Sequence, residues 1–264
     1  MFTDHFNLSA LPFSENPPID QLLTDQRASE ALARLQFFSQ NGEIALLTGA
    51  TGLGKSSILR LFQSRLSPTK FLPVYVHITN LRASSLLKFM LAALGEDPPT
   101  RGKERLFLQI FDRAQHSEQT LIFLIDDAHL ISPDGLTDLR LLVSSVLEDR
   151  PPIKVLLSGQ DTLLHALKRP AHLDLLHRVC VRYHIRAMSQ DETLCYIDAR
   201  LKAVDAHKDL FHKDAKILVH DYSGGVLRLI NRIATNCLFI AASSGLQSVS
   251  EDLVHQAITE FKLP

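Results

Sequence analysis

From Glu43 onward, short apolar runs alternate with amphipathic segments: EIALLT, SILRLFQSRL, FLPVYVHI, SSLLKFMLAAL, ERLFLQIFDRA, TLIFLIDD, LTDLRLLVSSVL, IKVLLS and VCVRYHI. Apolar runs without polar interruption suit parallel strands covered on both faces; strands open to solvent on one face would alternate instead. The segments between them place apolar residues every three or four positions, as a helix with one buried stripe does. Together they predict a parallel α/β sheet with right-handed crossovers. The strand signal stops after Ile185. Ser189 and Glu192 then form the capping box SQDE, which opens a helix through about Val204. Further helical patterns follow in KDAKILVHDY, VLRLINRIATNCLFIAAS and SEDLVHQAITEF, with Ser250 as N-cap of the last.

The expected organisation is an N-terminal linker segment and helix over 1–40, an α/β domain over 41–187, and an all-helical domain over 188–264, with the boundary at 187 to 189. Within the first segment, irregular proline-bearing chain (LPFSENPP) gives way to a helical pattern (RASEALARLQFF). Apolar residues there, Leu8 and Phe13 with Pro12, either cover a ligand's flat ring or plug a core.

Composition narrows the class. A 264-residue chain that is 45% hydrophobic has enough apolar surface for a large core. Cys180, Cys195 and Cys237 are odd in number and far apart, which argues against a disulfide framework or zinc ribbon and for a reducing compartment. The N-terminus lacks a signal-peptide pattern and no run approaches the roughly 20 apolar residues of a membrane span, so a cytoplasmic chain without membrane contact is expected. The twelve histidines fit no compact metal site by spacing. A net charge of −1 excludes an evenly basic surface. The charge is nonetheless uneven. Arg150, Lys154, Lys168, Arg169, Arg178, Arg182 and Arg186 face only Asp161 and Asp174 in one stretch, while residues 1 to 50 are acidic on balance. Such asymmetry suits either two solvated surfaces or head-to-tail contacts between copies.

The chemistry concentrates in two places. Directly after EIALLT comes GATGLGKS, Gly49 to Ser56, followed by a helical pattern: the strand, turn and helix of a phosphate-binding loop. Gly49, Gly52 and Gly54 permit the tight turn, and the backbone of Ala50, Thr51, Leu53 and Ser57 completes a cradle of N–H groups at a helix start. Lys55 is placed to reach the β and γ phosphates and Ser56 to offer a hydroxyl to Mg²⁺. ATP and Mg²⁺ are the implied cofactors. The second place is TLIFLIDD, where Asp126 ends a buried strand and is the expected Mg²⁺ acid. Asp127 then stands where an attacking water would be oriented. Many nucleotide hydrolases have glutamate there; aspartate is shorter by about 1.5 Å, and a misplacement of about 1 Å can cost on the order of a hundredfold in rate. Slow hydrolysis is the expectation.

These motifs, with IKVLLSGQDTLLHAL, LLHRVCVRYHI, YSGGVLRLINRI and the opening HFNLSALPFSENP, resemble AAA+ ATPases of the ExeA group. That group includes the secretion ATPase GspA or ExeA and the transposition regulators TniB, TnsC and MuB. The resemblance implies a P-loop AAA+ α/β/α domain followed by a helical lid. It makes Ser158 or Gln160 the polar sensor near the γ-phosphate. It also makes Arg178 the arginine that reaches a neighbouring subunit's nucleotide, with Arg182 and Arg169 as weaker candidates, and Arg228 the lid's sensor. Leu227 departs from the proline frequent in the group.

Three functions follow from it. The first is a regulator of DNA transposition that assembles as a ring or filament on double-stranded DNA and engages a transposase and a target-selection protein. Its candidate DNA contacts are Arg82, Lys88, Arg101, Lys103 and Arg105. The second is a secretion-pathway assembly ATPase, disfavoured at this point because the sequence stops at Pro264 without a membrane segment. The third is a nucleotide-gated scaffold that scarcely hydrolyses ATP. Small-molecule kinases share the phosphate loop but not the lid.

Overall fold

The structure, a computed structural model, describes residues 2–78, 83–99, 102–144 and 153–261. In chain order the elements are α1 (Phe2–His5), α2 (Gln26–Asn41), β1 (Ile44–Thr48), α3 (Lys55–Arg65), β2 (Phe71–His77), α4 (Ala83–Ala93), α5 (Lys103–Gln115), β3 (Thr120–Asp126), α6 (Pro133–Ser144) and β4 (Lys154–Gly159). They continue with α7 (Asp161–Leu167), α8 (Leu173–His177), β5 (Val179–His184), α9 (Gln190–Lys202), α10 (Lys213–Ser223), α11 (Leu227–Ser243) and α12 (Glu251–Phe261). The chain forms two compact units. One comprises Arg27–Thr51 and Lys55–Ile185, the other Met1–Gln26, Gly52–Gly54 and Arg186–Pro264.

The first unit is a five-stranded parallel sheet in the order β2-β3-β4-β1-β5. Strand position sets the residue pattern. The central strands β1 and β4 are buried throughout and β3 nearly so, which is why they read as unbroken apolar runs. The edge strand β5 departs from the expected continuous burial. Val181 and Tyr183 turn inward while Cys180, Arg182 and His184 stay exposed, because an edge strand has solvent to one side. Pro73, which has no N–H to donate, sits in the opposite edge strand β2, where such a residue is tolerated. The core joins Leu46, Phe123, Ile125 and Leu157 of the sheet to Leu87, Ile110 and Leu139 of α4, α5 and α6.

The second unit packs α9 to α12 around Ile197, Phe211, Ile230, Leu238 and Val254. Its capping box forms as the sequence suggests: Glu192 N–H donates to Ser189 Oγ and Ser189 N–H to Glu192 Oε2. Residues 1–26 of the N-terminal segment belong to this unit, whereas α2 from Arg27 onward belongs to the sheet unit, so the expected segment over 1–40 is divided between the two. Phe6, Leu8 and Phe13 enter the helical core, so of the two roles open to Leu8 and Phe13 the structure shows core filling. Buried Arg200 fastens the segment, its Nε donating to Pro12 O at 2.6 Å and its Nη1 to Gln21 O at 2.8 Å.

The turn Gly224–Gly225 between α10 and α11 tolerates no side chain at its second position. Gly225 has φ +73°, and a Cβ there would lie 2.0 Å from Met188 O. Gly225 O in turn accepts the Met188 N–H at 2.9 Å. Left-handed backbone costs an L-residue roughly 1–2 kcal/mol, and the clash with backbone adds to that. Gly225→Ala should therefore lose about 3 kcal/mol or more, seen as a melting temperature several degrees lower. A melting temperature equal to wild type would show that the turn relaxes freely.

Candidate nucleotide-binding site

Parallel order brings every strand's carboxyl end to one edge of the sheet, where open α/β sheets bind ligands. Thr48 closes β1, His77 β2, Asp126 β3, Gly159 β4 and His184 β5. The phosphate loop leaves β1 at this edge, and α3 begins at Lys55. Lys55 is buried, its Nζ donating to Gly49 O and Ala50 O, each at 2.9 Å, while Ser56 is exposed on the first turn of α3.

The middle of the loop folds with the helical unit. Gly52, at φ +83°, accepts the Arg228 N–H at 3.0 Å, and a Cβ there would meet Val226 and Arg228 at 3.0 Å. Arg228 is thus tied to the loop through its backbone, with its side chain exposed. Leu227 takes the first position of α11, one that proline also accepts because its N–H has no helical partner. The departure at Leu227 therefore leaves the helix start intact.

Asp126 is firmly anchored. Buried at the end of β3, it accepts three hydrogen bonds: from Ser158 Oγ at 3.0 Å and Asp127 N–H at 3.0 Å on Oδ1, and from Tyr75 OH at 2.9 Å on Oδ2. Burial, reinforced by the negative charge of Asp126, pushes the Tyr75 phenol far above its ordinary value, so it stays a proton donor. Among the described residues Oδ2 takes a single bond and keeps a lone pair. The carboxylate of Asp126 and the hydroxyl of Ser56 are hard oxygen donors of the kind Mg²⁺ prefers, so the residues present fit that ion. Ser158, fully buried, spends its hydroxyl on Asp126, whereas Gln160 follows β4, half-buried, just before α7.

Asp127 adopts left-handed backbone, φ 53° and ψ 34°, before the single helical turn Ala128–Leu130. Two imidazoles flank its carboxylate: His77 Nδ1 stands 3.8 Å from Oδ2 and His129 Nδ1 3.8 Å from Oδ1. His184 at the end of β5 contacts Thr48 Oγ1 at 3.3 Å and Asp161 Oδ1 at 3.1 Å.

The sequence did not single out Tyr75, His77 or His129 for this site. A signal for the first two existed: Tyr75 and His77 alternate with buried Val74 and Val76. Knowing that β2 lies beside β3, with His77 level with Asp126, was needed to use it.

The candidate arginines lie elsewhere in the unit. Arg178 follows α8 and precedes β5, at the amino end of the sheet, and its Nη1 pairs with Glu43 Oε2 at 3.0 Å. Arg182 Nη2 donates to Leu176 O at 3.1 Å, and Arg169 is exposed. Of the DNA candidates, Lys103 pairs with fully buried Asp138 at 2.5 Å. Burial raises the Asp138 carboxyl above its usual range and Lys103 opposes that shift. Lys103 is therefore committed to an internal partner. Lys88 is half-buried on α4 and Arg105 exposed on α5. Arg82 and Arg101 lie outside the described residues.

Residues 39–167 match the family described as AAA domain. The solved ORC2 protein of Aeropyrum pernix, in ADPNP and ADP complexes, superposes with a TM-score of 0.73 at 19% identity, over 94% of this chain and 71% of that one. The fold is that of the AAA+ P-loop ATPases. A second solved structure, the Aeropyrum pernix ORC1 protein in complex with DNA, gives a TM-score of 0.70 at 16% identity, covering 92% of this chain and 67% of that one. At the level of sequence, General secretion pathway protein A of Aeromonas hydrophila is 31% identical over 98% of this chain. The chain spans 47% of that relative's length, so the ending at Pro264 carries no weight against the secretion reading. No helix among the described residues is long and apolar enough to cross a membrane.

Proposed function

We propose that this protein is a Mg²⁺-dependent ATPase of the ExeA group, hydrolysing ATP slowly and using the bound triphosphate to hold copies of itself together. The observation that carries the reading is Asp126, fixed by Ser158, Tyr75 and the Asp127 N–H at the sheet edge from which the phosphate loop springs. Mg²⁺, held by Asp126 and Ser56, would supply charge neutralisation at the phosphates. Lys55 and the loop N–H groups bind the phosphates, Asp127 orients the attacking water, and Gln160, free of the bond that occupies Ser158, senses the γ-phosphate. Arg228 is the lid's sensor arginine that the ExeA-group resemblance implies. Arg178 completes the pocket of a neighbouring copy. A site that consumes ATP belongs in the cytoplasm.

Likeness to a secretion-pathway protein along almost the whole chain supports a protein partner in an assembly process. Regulation of transposition, with duplex DNA, a transposase and a target-selection protein as partners, is the second reading. A DNA-bound ORC1 of the same fold favours it, and exposed Arg105 together with Lys88 would serve it.

Sedimentation with ATP, ADP and no nucleotide, repeated with duplex DNA at several salt concentrations, tests both. Assembly specific to ATP and absent in Lys55→Ala is expected. Binding to DNA that requires ATP and weakens steeply with salt would select the transposition reading. Association indifferent to nucleotide would remove the ATP switch.

A further inference from the structure

We propose that His129 is a positioning residue for Asp127, holding the short carboxylate in its working orientation through a hydrogen bond from imidazole Nδ1. The inference rests on the reading of Asp127 as the group that orients the attacking water.

His129 is fixed in place. It lies in the turn Ala128–Leu130, closed by Leu130 N–H donating to Asp127 O at 2.9 Å and Ile131 N–H to Ala128 O at 3.1 Å. The turn presses against the end of β4 so closely that a Cβ on Gly159 would lie 3.0 Å from His129 N and 3.4 Å from its Cβ. The imidazole is 12% exposed. Its Nδ1 is buried and has no hydrogen-bond partner among the described residues. A buried polar nitrogen left in that condition is destabilising, because it has given up water without gaining a partner.

The acceptor is already beside it. Asp127 Oδ1 stands 3.8 Å away, and an approach of about 0.9 Å, within reach of a side-chain rotation, gives an ordinary hydrogen bond. The two histidines beside Asp127 are not equivalent. The His77 side chain is 51% exposed, so water satisfies its nitrogens and it gains little from the carboxylate. His129 gains a partner it otherwise lacks. Asp127 has a short side chain on left-handed backbone, and a rigid donor on one oxygen leaves the other free to face the water.

The test is single-turnover ATP hydrolysis by the full chain, with nucleotide affinity measured alongside. His129→Ala should lower the rate about tenfold to a hundredfold, the scale of a small misplacement, with ATP affinity unchanged. Asn places an amide N–H where Nδ1 stands, and Gln places one where Nε2 stands. His129→Asn should therefore recover most of the rate and His129→Gln should not, a comparison that holds even where His129→Ala folds poorly. In an Asp127→Ala background, His129→Ala should cause no further loss. Equal rates for the Asn and Gln variants, or a full additional loss in that background, would overturn the positioning role while leaving Asp127 in place. Wild-type turnover in Asp127→Ala alone would instead overturn the reading on which the inference rests.

Discussion

Arg178→Ala should reduce ATP turnover on the order of 10³-fold or more, the range supplied by an arginine that neutralises transition-state charge, while ATP affinity stays within a few-fold of wild type. Arg178 stands at the amino end of β5, whereas the chain's own phosphate loop leaves the carboxyl end of β1. It is thus badly placed to serve its own nucleotide and free to serve another copy's. The Glu43 pair does not prevent this. Both side chains are more than one-third exposed, and such pairs contribute about 0–1 kcal/mol. Exchanging a solvated carboxylate for phosphate oxygens should therefore cost little. Glu43→Gln, as control, should leave turnover near wild type or slightly raise it; a loss as large as that of Arg178→Ala would mean the pair is structural. Turnover in Arg178→Ala equal to wild type would exclude the arginine from the reaction.

The second large effect is expected at Asp127. Asp127→Ala should nearly abolish hydrolysis, since nothing else at that position would hold the attacking water. Asp127→Glu should raise the rate, by up to about a hundredfold if reach alone limits it. The left-handed backbone at Asp127 moderates that expectation. Aspartate tolerates this conformation better than most residues, so the glutamate variant gains reach at some cost in strain. The sequence alone gives aspartate a kinetic meaning, and the structure adds a conformational one. Rates compared by phosphate release, with binding of a fluorescent nucleotide as control, decide the matter. Identical rates in Asp127, Glu and Ala proteins would remove this side chain from the mechanism.

The parallel sheet was legible in the sequence because three strands buried on both faces leave an unbroken apolar signature in EIALLT, TLIFLIDD and IKVLLS. The phosphate loop was legible because its chemistry is local: the glycines, Lys55 and Ser56 adjoin in sequence. What the sequence did not reveal depends on register and packing between distant segments. Tyr75 bonds to Asp126 only because β2 pairs with β3, and Ser158 only because β4 lies on the other side. The choice between Ser158 and Gln160 stayed open for that reason. Lys103 in TRGKER reads as a solvated or DNA-facing charge until α6 brings buried Asp138 against it. The N-terminal segment reads as a linker, yet its Phe6, Leu8 and Phe13 fill a core formed by helices nearly two hundred residues further along.

The most direct test of a pocket shared between copies is complementation. Lys55→Ala and Arg178→Ala proteins, each nearly inactive alone, would be mixed at several ratios and assayed for ATP turnover. A Lys55→Ala copy still offers Arg178, and an Arg178→Ala copy still binds ATP, so mixing should restore a substantial fraction of wild-type activity, greatest near equal proportions. Turnover that remains at the sum of the two separate proteins at every ratio, with mixed assemblies shown to form, would contradict it.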